Sequence, residues 1–394
     1  MSDDIVLAGA VRTPIGKFGG SLTGLTPAQL GSAVITAALD RAGIPHDAVD
    51  EVIFGHVLQA GNGQNTARQA ALAAGLPIGV PALTVNKVCG SGLSAVNLAS
   101  ALIRSGEAEV VVVGGTECMS RAPYLLDKAR FGYRLNDATL IDSLLSEGLV
   151  DSFHRYHMGI TAENVAERWG ISRDDQDAFA ATSQQRAAAA REEGRFAEEI
   201  LPLEVTVGKR RTTFDADEAI RPGTTVETLA GLRPAFREDG TVTAGNASGL
   251  SDGAAALVVL SAERARQLGV TPQATWVAGA SAGVEPAVMG RGPVESSRKV
   301  LHRAGWRTGD LDLVELNEAF AAQSVCVVRE LGLDTDRVNV NGGAIALGHP
   351  LGCSGARILV TLIHEMRRRQ VEQGMAALCI GGGMGISTLV RVDA

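Results

Sequence analysis

The strongest constraint on how this chain folds is a long-range repetition. Leu83-Thr84-Val85-Asn86 runs into a glycine-rich turn, a helix-like stretch over 92–104 and then Val110-Val111-Val112-Val113-Gly114-Gly115. Far downstream, Val338-Asn339-Val340-Asn341 runs into the turn GGAIALGHPLGCSG, a helix-like stretch over 356–369 and then Ala376-Ala377-Leu378-Cys379-Ile380-Gly381-Gly382. Strand, glycine turn, helix and a strand ending in glycines, twice over, predict two copies of one α/β unit. A pseudo-twofold axis between the copies would bring their turns together at the carboxyl ends of the strands, where α/β sheets place their sites.

The rest of the chain fits around these units. Residues 5–120 alternate strand-like runs (IVLAGA, EVIFGHVL, PALTVN, EVVVVGG) with helix-like ones at 27–42, 66–74 and 92–104, which predicts a mostly parallel sheet covered by helices. Between Ser120 and Gly249 the alternation stops and loop residues increase. One helix is marked there by Ser172 as N-cap, Asp175 as its capping-box partner and Gly194 as its stop. From Leu250 the alternation resumes. The division expected is an N-terminal α/β half over 1–119 and 250–272, an inserted loop subdomain over 120–249 and a C-terminal α/β half over 273–394.

Charge and cysteine usage narrow the function classes. A net charge of −8 with one short basic cluster, Lys209-Arg210-Arg211, gives nucleic acid or an anionic membrane surface nothing to hold, and the cluster reads as a solvated turn. No apolar run approaches the roughly 20 residues of a membrane span. The acidic start passes straight into a strand-like run, without the basic flank of a secretory signal, and the closing Val-Asp-Ala is not a peroxisomal signal. Cys89, Cys118, Cys326, Cys353 and Cys379 form no C-x-x-C pair, so no zinc ribbon or disulfide framework is expected; a reducing, cytoplasmic setting fits.

The chemistry concentrates in the repeated turns. Val88-Cys89-Gly90-Ser91-Gly92 puts Cys89 between a strand-like run and a helix-like one. There the unpaired N–H groups and the helix dipole would favour the thiolate, the form that attacks a carbonyl carbon. In the second copy His349 lies in the equivalent turn and Cys379 near the end of the following strand, and a cysteine with a histidine in reach is a minimal activated nucleophile. By spacing alone, Cys379 reads first as a buried core thiol and His349 equally well as a turn histidine; Cys118, Cys326 and Cys353 read as small core hydrophobes. A competing pattern overlaps the first turn: Gly90-Ser91-Gly92-Leu93-Ser94-Ala95, with Glu117 after the next strand, matches a dinucleotide fingerprint. It leaves the second glycine unit unexplained. Gly381 to Gly385 offers no such site, because residues 386–392 read as a strand.

Taken in order, Val88-Cys89-Gly90-Ser91-Gly92, HMGITAEN from His157, GNASG from Gly245, Asn317-Glu318-Ala319-Phe320, Gly348-His349-Pro350 and CIGGG from Cys379 resemble the thiolase family over essentially the whole chain, most closely its short-chain acetyl-CoA acetyltransferases. The resemblance implies a thiolase-like α/β fold: two duplicated halves, a mixed sheet covered by helices and an inserted loop subdomain. It implies that Cys89 carries the acyl group as a thioester, that His349 is its base and that Cys379 moves the α-proton of a second acetyl-CoA. One oxyanion site would use His349 with a water held by Asn317, the other the N–H groups of Cys89 and Gly381. The glycines after both cysteines would let backbone approach the thioester closely.

Leu149, His157, Met158, Arg221, Phe236, Ala247, Ser248 and Phe320 are the implied coenzyme A and acyl contacts. Arg221 would meet a phosphate, and Met158 and Phe320, which the pattern alone would assign to the core, would line the acyl pocket. The substrates implied are acetyl-CoA, acetoacetyl-CoA and CoA, with no metal or redox cofactor and a homotetrameric assembly. His157 points to short chains, whereas GHPLGCSGAR also resembles degradative 3-ketoacyl-CoA thiolases of broader chain length. A non-catalytic acyl-CoA or lipid carrier on the same scaffold would not need Cys89, Asn317, His349 and Cys379 together.

Overall fold

The computed structural model describes residues 4–393; Met1, Ser2 and Asp3 of the acidic start and the terminal Ala394 lie outside them. The first half contains β1 (Ile5–Arg12), α1 (Pro27–Ala42), β2 (Glu51–Gly55), α2 (Thr66–Ala73), β3 (Ala82–Val85), α3 (Ser91–Ser105) and β4 (Val110–Cys118). Within the intervening region, α4 (Met158–Arg168) and α5 (Arg173–Glu192) are the long helices. The sequence marked only the second of these, and its Ser172–Asp175 capping box is formed as expected. There follow β5 (Ser251–Ser261), β6 (Ala274–Gly283), α6 (Gly292–Ala304), β7 (Leu313–Leu316), α7 (Ala321–Leu331), α8 (Leu351–Arg369), β8 (Gln373–Ile380) and β9 (Met384–Arg391).

The strand order is β7-β8-β9-β6-β1-β5-β4-β2-β3, with Gly16–Lys17 added beside β5. Read outward from the central antiparallel pair β1–β6, both arms follow one scheme: two antiparallel pairings, then parallel ones. The sheet is therefore mixed rather than mostly parallel. The difference arises because β5 and β9 enter as return strands: β5 lies between β1 and β4, and β9 forms a hairpin with β8.

The repetition is imperfect at one point. Residues 338–341 do not form a strand; Val338 makes a single parallel bridge to Val314, where β3 stands in the first half. Asn339 turns the chain out of the sheet at φ 47°. Its side chain accepts from Leu316 N at 2.8 Å and donates to Leu316 O at 2.8 Å, doing what strand backbone would have done.

Strand faces sort into layers. Along β4, Val111 and Val113 face one core with residues of α3, α8 and β8, while Val110 and Val112 face another with α1 and α2. Burial on both faces accounts for the unbroken apolar run of this strand. α3 and α8 pack against each other in the core shared by both arms, while α1 and α2 cover one outer side and α6 and α7 the other.

The joint between α3 and α8 depends on glycine. A Cβ on Gly92 would come 2.7 Å from Ala356 N, and one on Gly115 2.0 Å from Gly352 O. Gly90 faces Ile380, where a Cβ would come 2.4 Å from Cδ1. These distances correct the expectation that Gly90 and Gly92 make room for a thioester; they let the two halves close on each other. The intervening region is anchored by Arg12, fully buried on β1, which pairs with Glu199 at 2.6 Å and Asp217 at 2.7 Å. Lys209 lies in the exposed turn of a hairpin formed by Leu203–Val207 and Arg210–Phe214.

Candidate active site

Cys89 is held on a strained elbow. Val88 adopts φ 48°, a left-handed conformation that a β-branched residue takes only when its surroundings enforce it. Here Asn86 Oδ1 accepts from Val88 N at 3.0 Å, and the Ser91 hydroxyl donates to Val88 O at 2.6 Å while accepting from Lys87 N at 2.8 Å. The elbow carries Cys89 to the wall of a cavity of about 370 Å³.

His349 and Gly381 of the second half line the same cavity. The backbone N–H groups of Cys89 and Gly381 both act on the Cys89 sulfur. Gly381 opens a turn in which Gly382 and Gly383 take φ 83° and 84°. A Cβ on Gly381 would meet Met158 Cε at 3.3 Å, so this glycine does face the cavity lining. Cys379 is fully buried in one apolar cluster with Met158, Ala247 and Phe320, and a negative charge on Cys89 would raise its pKa further.

Asn317 follows β7, tied to β8 by its N–H on Ala377 O at 2.9 Å. Its Nδ2 lies 3.4 Å from His349 Nδ1 and 3.5 Å from Nε2. Near-equal distances put the amide off the in-plane lone-pair axis of either nitrogen. Asn317 Oδ1 is buried and has no protein hydrogen-bond partner. A buried carbonyl oxygen left in this way is the feature that a site-bound water would satisfy.

Electrostatics overturn one expectation. Desolvation pushes the Cys89 thiol up to about 11; the two N–H groups pull it down, less strongly, and Glu117 adds to the rise. The resting nucleophile at neutral pH is therefore a thiol, not the thiolate expected of a helix start. α3 begins at Ser91, with Gly90 as its cap, so Cys89 lies outside the first turn where the dipole acts. Burial likewise raises Cys379 and Cys353, and it drives His349 down to about 3, with Arg357 assisting. A neutral imidazole and a neutral thiol leave the resting cavity wall uncharged, and transfer of the thiol proton to the ring creates charge only as sulfur attacks substrate.

The cavity gathers most of the residues implied for substrate. Leu149, His157, Met158, Phe236, Ala247, Ser248 and Phe320 line it. His157 caps α4, its Nδ1 accepting from Gly159 N at 3.0 Å, so the ring proton sits on Nε2. Burial lowers the His157 pKa and keeps the ring neutral. His157 stacks on Phe236 with centroids 4.6 Å apart, and Phe236 meets Phe320 edge-on at 6.2 Å.

Arg221 is not part of this lining. It is exposed on a loop whose backbone is held by Gln184 and Thr224. Met119, Leu145, Met289 and Leu351 also line the cavity, and the sequence reading missed them. Isolated apolar residues on different elements carry no local motif. Glu117, the acid of the dinucleotide pattern, accepts from Val57 N at 3.1 Å, Leu58 N at 3.2 Å and Gly352 N at 2.9 Å. It clamps the first turn of α8 and has no room for a ribose. Among the described residues no cluster of three or more His, Cys, Asp or Glu could hold a metal ion, and no helix is long and apolar enough to cross a membrane.

Known proteins resemble this chain over nearly its whole length. The family model for the thiolase N-terminal domain matches residues 5–263, and that for the thiolase C-terminal domain matches residues 270–392. The chain is 58% identical to an acetyl-CoA acetyltransferase of Pseudomonas aeruginosa over 390 residues, covering 98% of this chain and 99% of that protein. It is 56% identical to one of Cupriavidus necator over 389 residues, with 98% and 99% covered. The crystal structure of the Bacillus anthracis acetyl-CoA acetyltransferase superposes with a TM-score of 0.97 at 47% identity, covering 99% of both chains. Human mitochondrial 3-ketoacyl-CoA thiolase in complex with CoA superposes with a TM-score of 0.96 at 44% identity, covering 99% of this chain and 98% of that one.

Proposed function

The chain belongs to the thiolase family, and from that premise we propose that it is an acetyl-CoA C-acetyltransferase, joining two acetyl-CoA into acetoacetyl-CoA and CoA through an acyl-cysteine, or running the reverse thiolysis. The observation that carries this reading is the convergence of Cys89, His349 and the Gly381 N–H, from opposite halves of the fold, on one apolar cavity. In the first step the Cys89 thiol gives its proton to His349 Nε2 as sulfur attacks the thioester carbon. The N–H groups of Cys89 and Gly381 hold the oxyanion, the carbon–sulfur bond to CoA breaks, and the departing CoA sulfur takes the Cys379 thiol proton, leaving the proton from Cys89 on His349 Nε2. In the second step Cys379 removes an α-proton from another acetyl-CoA. His349 Nε2–H and a water on Asn317 stabilise the enolate oxygen, the carbanion attacks the acyl-Cys89, and the Cys89 sulfur leaves with the proton held on His349 Nε2.

Leu149, His157, Met158, Phe236, Ala247, Ser248 and Phe320 contact the pantetheine and acyl groups in this reading, and Arg221 reaches a phosphate from outside the cavity. No metal or redox cofactor takes part. A homotetramer in the cytoplasm completes the proposal, supported by the exposed apolar residues Phe131, Leu135 and Leu140 on one segment of the intervening region. We assign 1–119 with 250–272, 120–249 and 273–394 as the three structural units.

The braced ring stack favours short acyl chains: Phe236 lies against Gly159, where a Cβ would come within 2.2 Å of the ring. The test is the loss of acetoacetyl-CoA absorbance on adding CoA, followed by kcat/KM for 3-ketoacyl-CoA substrates of increasing length. A fall with length supports the short-chain reading, a flat or rising series supports a degradative thiolase of broader range, and no thiolysis at all leaves only a carrier.

A further inference from the structure

The proposed mechanism, on which this inference rests, asks Asn317 to hold a water beside His349 for the enolate oxygen. The Asn317 side chain has little to place it there. Its Nδ2 meets only the His349 ring nitrogens, at 3.4 and 3.5 Å, and its Oδ1 has no protein partner. Its position is therefore set by the backbone on either side, at Leu316 and Glu318.

Both neighbours are held by one pair of side chains. Asn339 Oδ1 accepts from Leu316 N, and Asn339 Nδ2 donates to Leu316 O and to Glu318 Oε1, each at 2.8 Å. Both amide protons are thereby used. Glu318 is buried and does not line the substrate cavity. Its Oε2 accepts from the Ser183 hydroxyl on α5 at 2.6 Å and from Ile345 N at 3.1 Å. Ile345 belongs to the helical turn Ala344–Leu347, which ends at Gly348 and leads into His349. Gly343 lies against the carboxylate, where a Cβ would come 2.3 Å from Glu318 Cδ, so the group has no room to swing. One buried carboxylate thus ties the end of β7 that carries Asn317 to the turn that carries His349, and both to α5. Burial raises its pKa, while the three donors and Arg357 oppose the rise.

We infer that Glu318 is a positioning residue for the enolate site, its carboxylate setting the spacing of Asn317 and His349 without touching substrate. Three donors converge on it, a demand that a carboxylate meets and an amide does not. In Glu318→Gln the amide oxygen keeps most bonds in the place of Oε2, with Ser183 and Ile345. Its NH2 then faces Asn339 Nδ2, and Asn339 cannot turn its amide without reversing both bonds to Leu316. The displacement falls on Asn317. The N–H groups of Cys89 and Gly381, which serve acylation, lie on other segments.

The test compares Glu318→Gln and Ser183→Ala with the parent enzyme. Acylation is read as CoA released from acetyl-CoA, and enolate formation as exchange of acetyl α-protons into deuterated water. E318Q should slow exchange at least about 10-fold with KM unchanged and keep acylation within about threefold of the parent. S183A removes one donor and leaves α5 helical, and should slow exchange about threefold with acylation unchanged. A merely structural loss would lower both half-reactions together. Exchange by E318Q within about twofold of the parent, or acylation slowed as much as exchange, would overturn the inference. If E318Q does not fold, S183A decides, and exchange equal to that of the parent overturns it. A parent enzyme that takes no acetyl group overturns the acetyltransferase reading as well; a parent that acylates and exchanges while E318Q does both equally fast overturns the Glu318 role alone.

Discussion

Gly115→Ala is the sharpest test of how the two halves build the site. Gly115 lies on β4, where a Cβ would come 2.0 Å from Gly352 O, 2.8 Å from Gly352 C and 3.1 Å from Cys353 Cα. All three atoms are backbone, so no side chain can rotate away. Real Cβ contacts essentially never fall below 3.0 Å, and the first turn of α8 must therefore retreat by about 1 Å. Overpacking of this kind costs about 1–3 kcal/mol, and the turn that moves follows directly on His349. A 1 Å misplacement of a catalytic group costs on the order of 10²-fold in rate. The measurements are urea unfolding and kcat for thiolysis of acetoacetyl-CoA. Gly309→Ala is the control, since a Cβ there meets nothing within 4 Å and should leave both unchanged. If Gly115→Ala keeps the parent midpoint and kcat, the close-packed joint does not set the geometry of the site.

Other outcomes test single groups. Cys89→Ala should abolish acyl-enzyme formation on mixing with acetyl-CoA, and a covalent adduct that survives would refute its role; Cys379→Ala should still acylate but lose α-proton exchange. Because burial pushes the Cys89 thiol up to about 11, its alkylation by iodoacetamide in the free enzyme should keep rising through pH 10, and a plateau below pH 8 would show a thiolate instead. Burial lowers His349 from its ordinary value of 6.5 to about 3 in the folded protein. The unfolded chain thus takes up the proton first as pH falls. Stability from this group is present above about pH 6.5 and is lost on acidification, by about 2 kcal/mol between pH 7 and pH 5. His349→Gln should remove that part of the pH dependence from urea midpoints measured at the two values. Arg221→Ala should raise KM for CoA substrates with kcat unchanged if it meets a phosphate, and unchanged kinetics would remove it from the binding site.

Much of the protein was legible in the sequence because its signals are local or repeated. The alternating runs, the capping box at Ser172 and the two glycine turns each lie within a few residues, and local spacing specifies local geometry. The motifs around Cys89, Asn317, His349 and Cys379 pointed to the chemistry through their ordered resemblance to the thiolase family, since spacing alone left Cys379 a core thiol and His349 as readily a turn histidine. What the tertiary structure decided depends on partners remote in sequence. The mixed sheet follows from where β5 and β9 return, and the loss of the strand at 338–341 follows from Asn339 bonding to Leu316. Cys89 rests as a thiol because burial outweighs the N–H groups of Cys89 and Gly381, a balance that no local pattern contains. Gly90 and Gly92 could be recognised as sites of close approach from sequence, but only the fold shows that Ile380 and α8, rather than substrate, occupy the space where their side chains would be.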